Sequence, residues 1–189
     1  MNTRTKNLLA AVAVLTFSIL ACTMNLGGPP YPTPGIPVST EAVGQLQQEI
    51  QTAVAAGQDS GEVTLVITEP ELTSYLAYRL EGSSQPFITR PQVYLQDGEI
   101  QVYGTAVQGN FEITANMVLT AGVDENGQMK IELSSADFGP FPVPDGLKEF
   151  LTAIIKEATT GALGPVATGF RLETIQIADG NMTLTGRIK

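Results

Sequence analysis

Two Asp-Gly pairs, Asp97-Gly98 and Asp179-Gly180, each stand between short runs of alternating apolar residues. Such a pair supplies the left-handed backbone that a two-residue hairpin turn needs, so each marks a β-hairpin with its strands in fixed register. The hairpins superpose at an offset of 82 positions. Val93, Leu95, Ile100, Val102 and Gly104 fall on Ile175, Ile177, Met182, Leu184 and Gly186. An amphipathic helical pattern precedes each hairpin, and a strand-like run precedes each helix. The order strand, helix, hairpin therefore occurs twice, which points to an α+β domain of two units around an antiparallel sheet.

The periodicity between these landmarks is readable. From Ser39 to Gln58, Val43, Leu46, Ile50 and Val54 recur at three- and four-residue steps. This predicts a helix capped by Ser39 or Thr40 and ended by Gly57. Its apolar stripe is narrow, which places it on the outside of the domain. Val63, Leu65 and Ile67 alternate along a strand from Glu62 to Thr68. That strand runs into Thr68-Glu69-Pro70-Glu71, a capping box with proline in the first turn, where a missing N–H costs nothing. The next helix puts Leu72, Tyr75, Leu76 and Leu80 on one face. The longest alternation is Phe111, Ile113, Ala115, Met117 and Leu119, which Asp124-Glu125-Asn126-Gly127 turns into Met129, Ile131 and Leu133. Asp124, Asn126 and Glu132 are conceivable in a calcium loop, but further carboxylates are missing from the right places. A hairpin turn is the reading adopted, and no metal site is predicted. A proline-rich passage from Phe138 to Pro144 leaves the sheet. Asp145 then caps a last helix, whose wide apolar face carries Leu147, Phe150, Leu151, Ile154, Ile155 and Ala158.

The N-terminus is of another kind. Arg4 and Lys6 precede an apolar run from Leu8 to Cys22. The run is shorter than the roughly twenty residues a spanning helix needs and has the build of a secretory leader. It ends Ile19-Leu20-Ala21-Cys22, which resembles the lipobox of bacterial lipoproteins: an aliphatic residue, two small or apolar positions, and the cysteine that receives the lipid. The resemblance implies that residues 1–21 are a lipoprotein signal peptide and that Cys22 is the lipidation site. It also implies a protein of the cell envelope, lipid-anchored on the extracytoplasmic side of the membrane. Residues 23–38 contain five prolines and three glycines, too many for a helix or a central strand. Residues 22–38 are read as a Pro/Gly-rich tether, and 39–189 as a single domain of ordinary size.

Composition removes whole classes of function. There is no histidine, and Cys22 is the only cysteine. Acyl transfer needs a base close to neutral, and zinc needs His or Cys ligands. No Ser-x-x-Lys occurs, and Glu69 and Glu71 fit first-turn helix charges better than a glycosidase pair. A protein that is not an enzyme and carries no cofactor is expected. The net charge is −9, and loss of Arg4 and Lys6 with the leader takes it to −11. Such a surface repels phosphate backbones, so nucleic acid is not an expected partner.

From Val63 to Lys189 the pattern is a strand entering Thr-x-x-Glu-Leu-x-x-Tyr-Leu, an Asp-Gly hairpin, a long strand pair, a Pro-rich entry to an apolar helix and a closing Asp-Gly hairpin. It resembles uncharacterised bacterial envelope proteins of the LmeA-like and YpmS-like kind, and through them tubular lipid-binding domains. The resemblance implies a curved antiparallel sheet packed around amphipathic helices, with an apolar groove for a lipid. The acidic charge departs from what a reader of anionic headgroups would carry. The residues that would line a groove are Phe111, Ile113, Ala115 and Met117 on the long strand, facing Leu147, Phe150, Leu151, Ile154 and Ile155 on the last helix. The membrane, through the N-terminal lipid, and a lipid or other apolar molecule are the partners expected. The alternative is a non-catalytic structural or interaction protein of the envelope, in which the same two faces form a packed core.

Overall fold

The computed structural model describes residues 27–82, 88–108, 111–143, 147–148, 150–153 and 170–188, without the side chains at 107, 108 and 111. Helix α1 (Thr40–Ser60) leads into β1 (Glu62–Thr68) and α2 (Glu69–Glu81). Then come β2 (Thr89–Gln96), β3 (Glu99–Gln108), β4 (Phe111–Val123), β5 (Met129–Asp137), β6 (Phe170–Ala178) and β7 (Asn181–Ile188). The strands form two antiparallel sheets, ordered β2-β3-β4-β5 and β1-β7-β6. The fold is α+β.

Both Asp-Gly hairpins form. Asp97 and Gly98 have φ of 53° and 82°, and Asp179 and Gly180 have 52° and 77°. Two successive left-handed residues give the turn whose twist matches that of its strands. Val93 faces Val102 and Leu95 faces Ile100; Ile175 faces Leu184 and Ile177 faces Met182. The likeness goes further than the apolar pattern. Register shifts lie between Thr89 and Gln92 in β2 and between Leu172 and Thr174 in β6, at equivalent places. Each brings the neighbouring chain onto a glycine. A Cβ on Gly104 would lie 2.9 Å from Ile88 Cδ1, and one on Gly186 would lie 2.5 Å from the Arg171 carbonyl oxygen. At Gly186 the close approach of backbone, more than backbone freedom, requires glycine; at Gly104 the nearest atom is the end of the Ile88 side chain.

The two turns also hold each other. Gly98 N–H donates to the Ile177 carbonyl at 3.0 Å, and Gly180 N–H donates to the Leu95 carbonyl at 3.0 Å. The 82-residue offset turns one bond into the other, as an approximate two-fold relation between the hairpins requires. The sheets are completed by exchange. The second strand of the first hairpin, β3, pairs with β4, while the second strand of the second hairpin, β7, pairs with β1. Neither strand-helix-hairpin unit closes its own sheet.

Helix α2 lies along the free edge of β2 and satisfies that edge with side chains. Leu95 N–H donates to Glu69 Oε1 at 2.8 Å, and Val93 N–H donates to Thr73 Oγ1 at 2.9 Å. Glu69 N–H donates to the Gly180 carbonyl, so this residue joins the helix start to both hairpins. The fully buried side of α2 is therefore Glu71, Thr73, Ser74 and Ala77, while Leu72, Tyr75, Leu76 and Leu80 are only partly buried. An unpaired strand edge needs acceptors, and short polar side chains supply them.

The capping box at Thr68 and Glu71 is present. Glu71 Oε2 accepts from Thr68 N–H at 2.8 Å and from the Thr68 hydroxyl at 2.8 Å, in a side chain only 3% exposed. Glu71→Ala strands two donors in a dry place. It is expected to cost about 1–3 kcal/mol in urea melts, more than an exposed cap. Glu71→Gln, which keeps an acceptor, is expected to cost less.

Helix α1 differs from expectation at its end and in its depth. Ser39 caps it, its hydroxyl accepting from Ala42 N–H at 3.1 Å. Gly57 does not end it but lies inside it, so close to β1 that a Cβ would come within 2.4 Å of Val63 Cγ2. The helix stops at Gly61, whose φ is 77° and whose N–H returns to the Gly57 carbonyl. Its buried face is Ala42, Leu46, Ile50, Ala53 and Gly57. Small residues let α1 sit against β1 and α2, so a narrow apolar stripe still reaches the core.

Residues 27–38, read from sequence as the second part of a tether, follow a defined path to α1. The Tyr31 hydroxyl donates to the Arg90 carbonyl. Gln92 takes both polar groups of Ile36: its Oε1 accepts from Ile36 N–H, and its Nε2 donates to the Ile36 carbonyl at 3.0 Å. Ser39 N–H donates to the Ser74 hydroxyl at 3.1 Å.

Candidate lipid-binding interior

The inner face of the four-stranded sheet is apolar across its three first strands. Val93 and Leu95 on β2, Ile100, Val102 and Ala106 on β3, and Ile113, Ala115, Met117 and Leu119 on β4 are all buried. The register sets small residues side by side. Ala115 faces Gly104, and Ile113 faces Ala106. The face is thus lower there than at Met117 against Val102 or Leu119 against Ile100. Ile88 packs onto Gly104 and occupies part of this low area.

The helical residues 147 and 150 bring Leu147 and Phe150 to the same cluster, at 6% and 7% exposure, and Leu151 packs against it partly buried. Phe138, just after β5, and Phe170 and Leu172 on β6 belong to the same cluster. The structure therefore gathers Ile113, Ala115, Met117, Leu147, Phe150 and Leu151 into one apolar interior. The backbone of Phe111 lies on β4; its side chain lies outside the described residues, as do Ile154, Ile155 and Cys22. Every lining group here is hydrocarbon or thioether.

The opposite face of that sheet is polar and aromatic. Tyr94 and Tyr103 meet edge to face, with centroids 5.8 Å apart and planes at 86°. Burial raises the pKa of Tyr94, with Glu69 and Tyr103 adding to it. The Tyr94 hydroxyl and the Asn116 amide nitrogen are buried without a protein partner. A separate open groove of about 510 Å³ runs between α1 and β1, bordered by Ala53, Ala56, Leu65 and Val66 as well as by Gln45, Gln48, Glu49, Thr52 and Thr64. Burial, followed by the nearby Glu71, raises the pKa of Glu49 on this rim. Its lining mixes aliphatic side chains with amides, hydroxyls and one carboxylate.

The Asp124 turn is a hairpin turn. Asp124 Oδ1 accepts from Asn126 N–H at 2.9 Å and from Gln128 N–H at 2.7 Å. The Gln128 bond, first among several, lowers the Asp124 pKa. Glu132 pairs with Lys130 at 2.9 Å. Among the described residues no group of three or more acidic, His or Cys side chains is placed to hold a metal ion.

The chain is thus an α+β domain of paired hairpins around a buried apolar cluster. The sequence model of the LmeA-like phospholipid-binding family matches residues 34–187, about four fifths of the chain. The chain belongs to this family. No curated protein matches it in sequence. The match begins within the segment held by Gln92, so the family pattern includes part of the extension ahead of α1 as well as the sheets.

Proposed function

We propose that this protein is a membrane-anchored, extracytoplasmic lipoprotein that binds phospholipid without chemical turnover. In this reading the acyl chains lie between the inner face of β2-β3-β4 and the helical residues around Leu147 and Phe150. The observation that carries it is membership of a phospholipid-binding family, in a chain with a buried apolar cluster behind its four-stranded sheet. The row of small residues at Gly104, Ala106 and Ala115 supports that position for a chain, because it leaves the inner face of the sheet lowest there. Cys22 carries the lipid that holds the domain within reach of bilayer phospholipid. The acidic surface supports recognition through acyl chains more than through an anionic headgroup.

The test is retention of phospholipid by full-length protein purified from membranes in mild detergent. Phospholipid in at least equimolar amount is expected after extraction, and protein free of it contradicts the reading. The intact mass of the same sample reports the anchor: a chain beginning at an acylated Cys22 is expected, and an unmodified chain beginning at Met1 contradicts it.

A further inference from the structure

Gly27 and Gly28 rest against the loop that leaves β5. A Cβ on Gly27 would lie 3.8 Å from Pro140 Cδ, and one on Gly139 would lie 2.8 Å from Gly28 N. Residues 138–143 read Phe-Gly-Pro-Phe-Pro-Val, a stretch without charge in a chain of net charge −9. The loop is held at its base. Phe138 is buried in the core, Gly139 N–H donates to Asp137 Oδ1 at 2.7 Å, and Phe141 N–H donates to the Phe138 carbonyl at 3.3 Å. Beyond that base it turns outward. Val143 is 53% exposed, the most of any large apolar side chain among the described residues.

Cys22 stands five residues before Gly27. Five residues span at most about 18 Å when fully extended. If Cys22 carries the lipid, as in the reading above on which this inference rests, Gly27 lies within that reach of the point of anchorage, and Pro140 of the loop lies against Gly27. We propose that residues 138–143 are the edge of the domain that contacts the membrane, and that their partner is the bilayer surface holding the Cys22 lipid. An uncharged tip enters the interfacial region without stripping water from a charge. The helical residues that line the apolar interior begin at Leu147, four positions after Val143. Docking by this loop sets the interior beside the acyl chains it receives.

The chain contains no tryptophan, so Val143→Trp adds a single reporter at an exposed position. Full-length protein is reconstituted into phosphatidylcholine vesicles with and without brominated acyl chains. Glu125→Trp is the control, exposed at the far end of the β4–β5 pair, where Val123 faces Met129. At Val143→Trp the emission is expected to shift to the blue and to be lost in brominated vesicles, while Glu125→Trp keeps its emission. Pro142→Trp, also exposed, is expected to repeat the result. Equal responses at 143 and 125, or emission at 143 that bromine leaves unchanged, overturn the proposal. Phospholipid retained by the same protein is measured in parallel. Retention without quenching at 143 overturns the membrane-contacting edge alone. Quenching at 143 without retention supports the edge and overturns the binding reading.

Discussion

Ile67→Ala is expected to destabilise the domain by about 2–5 kcal/mol, the range for emptying a buried aliphatic site. Ile67 is 0% exposed and faces Met182 across the β1–β7 pair. That pair is where a strand of the first unit completes the sheet of the second. The cavity therefore weakens the contact that joins the halves, and no shift within one unit can refill it. Val66, its neighbour on the other face, is 41% exposed. Val66→Ala is expected to stay within about 0.5 kcal/mol of the parent, as surface changes usually do. For a domain of this size each kcal/mol lowers Tm by about 2–4 °C, so thermal melts separate the pair. Equal losses from both would mean that β1 does not bury the face assigned to it.

Ala115→Phe is expected to abolish most phospholipid uptake from vesicles. Ala115 is 0% exposed and stands opposite Gly104, at the lowest part of the inner face. A phenyl ring there fills the space in which an acyl chain would cross the sheet. Where that space is open to a ligand, the ring occupies it and stability changes little. Where the interior is already full, overpacking costs about 1–3 kcal/mol. The two measurements together are decisive. Lost uptake with a near-parental melt supports a chain-binding interior, whereas a strong fall in Tm in a parent that takes up no phospholipid supports a packed core. Ala115→Gly, which adds no bulk, is expected to keep uptake.

Local chemistry made the hairpins legible. Asp-Gly between alternating runs demands left-handed backbone at two successive residues, and few other turns satisfy that demand. The capping box was legible for the same reason, since Thr68 and Glu71 act on each other within one turn. The partners of the strands were not legible. Alternation states which side chains point inward and leaves open that β1 joins β7 while β4 joins β3. Glu69 and Thr73 read as ordinary helix residues because the edge they satisfy is 20 or more positions away. Gly57 read as a helix stop because glycine serves both as a terminator and as a contact residue, and only the nearness of Val63 separates the two. The held path of residues 31–38 was hidden for a related reason. Proline and glycine remove helix and strand, but Tyr31, Ile36 and Gln92 can still tie such a segment to a sheet.

The candidate interior was legible as two faces, from the alternation on β4 and the wide stripe that begins at Leu147. That Leu147, Phe150 and Leu151 share one cluster with the β4 face, together with Phe138 and Phe170 from other elements, required the fold.

The central claim is that the protein carries phospholipid in its apolar interior, and native mass spectrometry of the full-length chain released from membranes tests it most directly. The predicted spectrum shows the acylated chain bearing the added mass of a phospholipid, with that added mass absent or much reduced in Ala115→Phe. A spectrum in which the parent carries no added phospholipid, or in which Ala115→Phe carries as much as the parent, would contradict it.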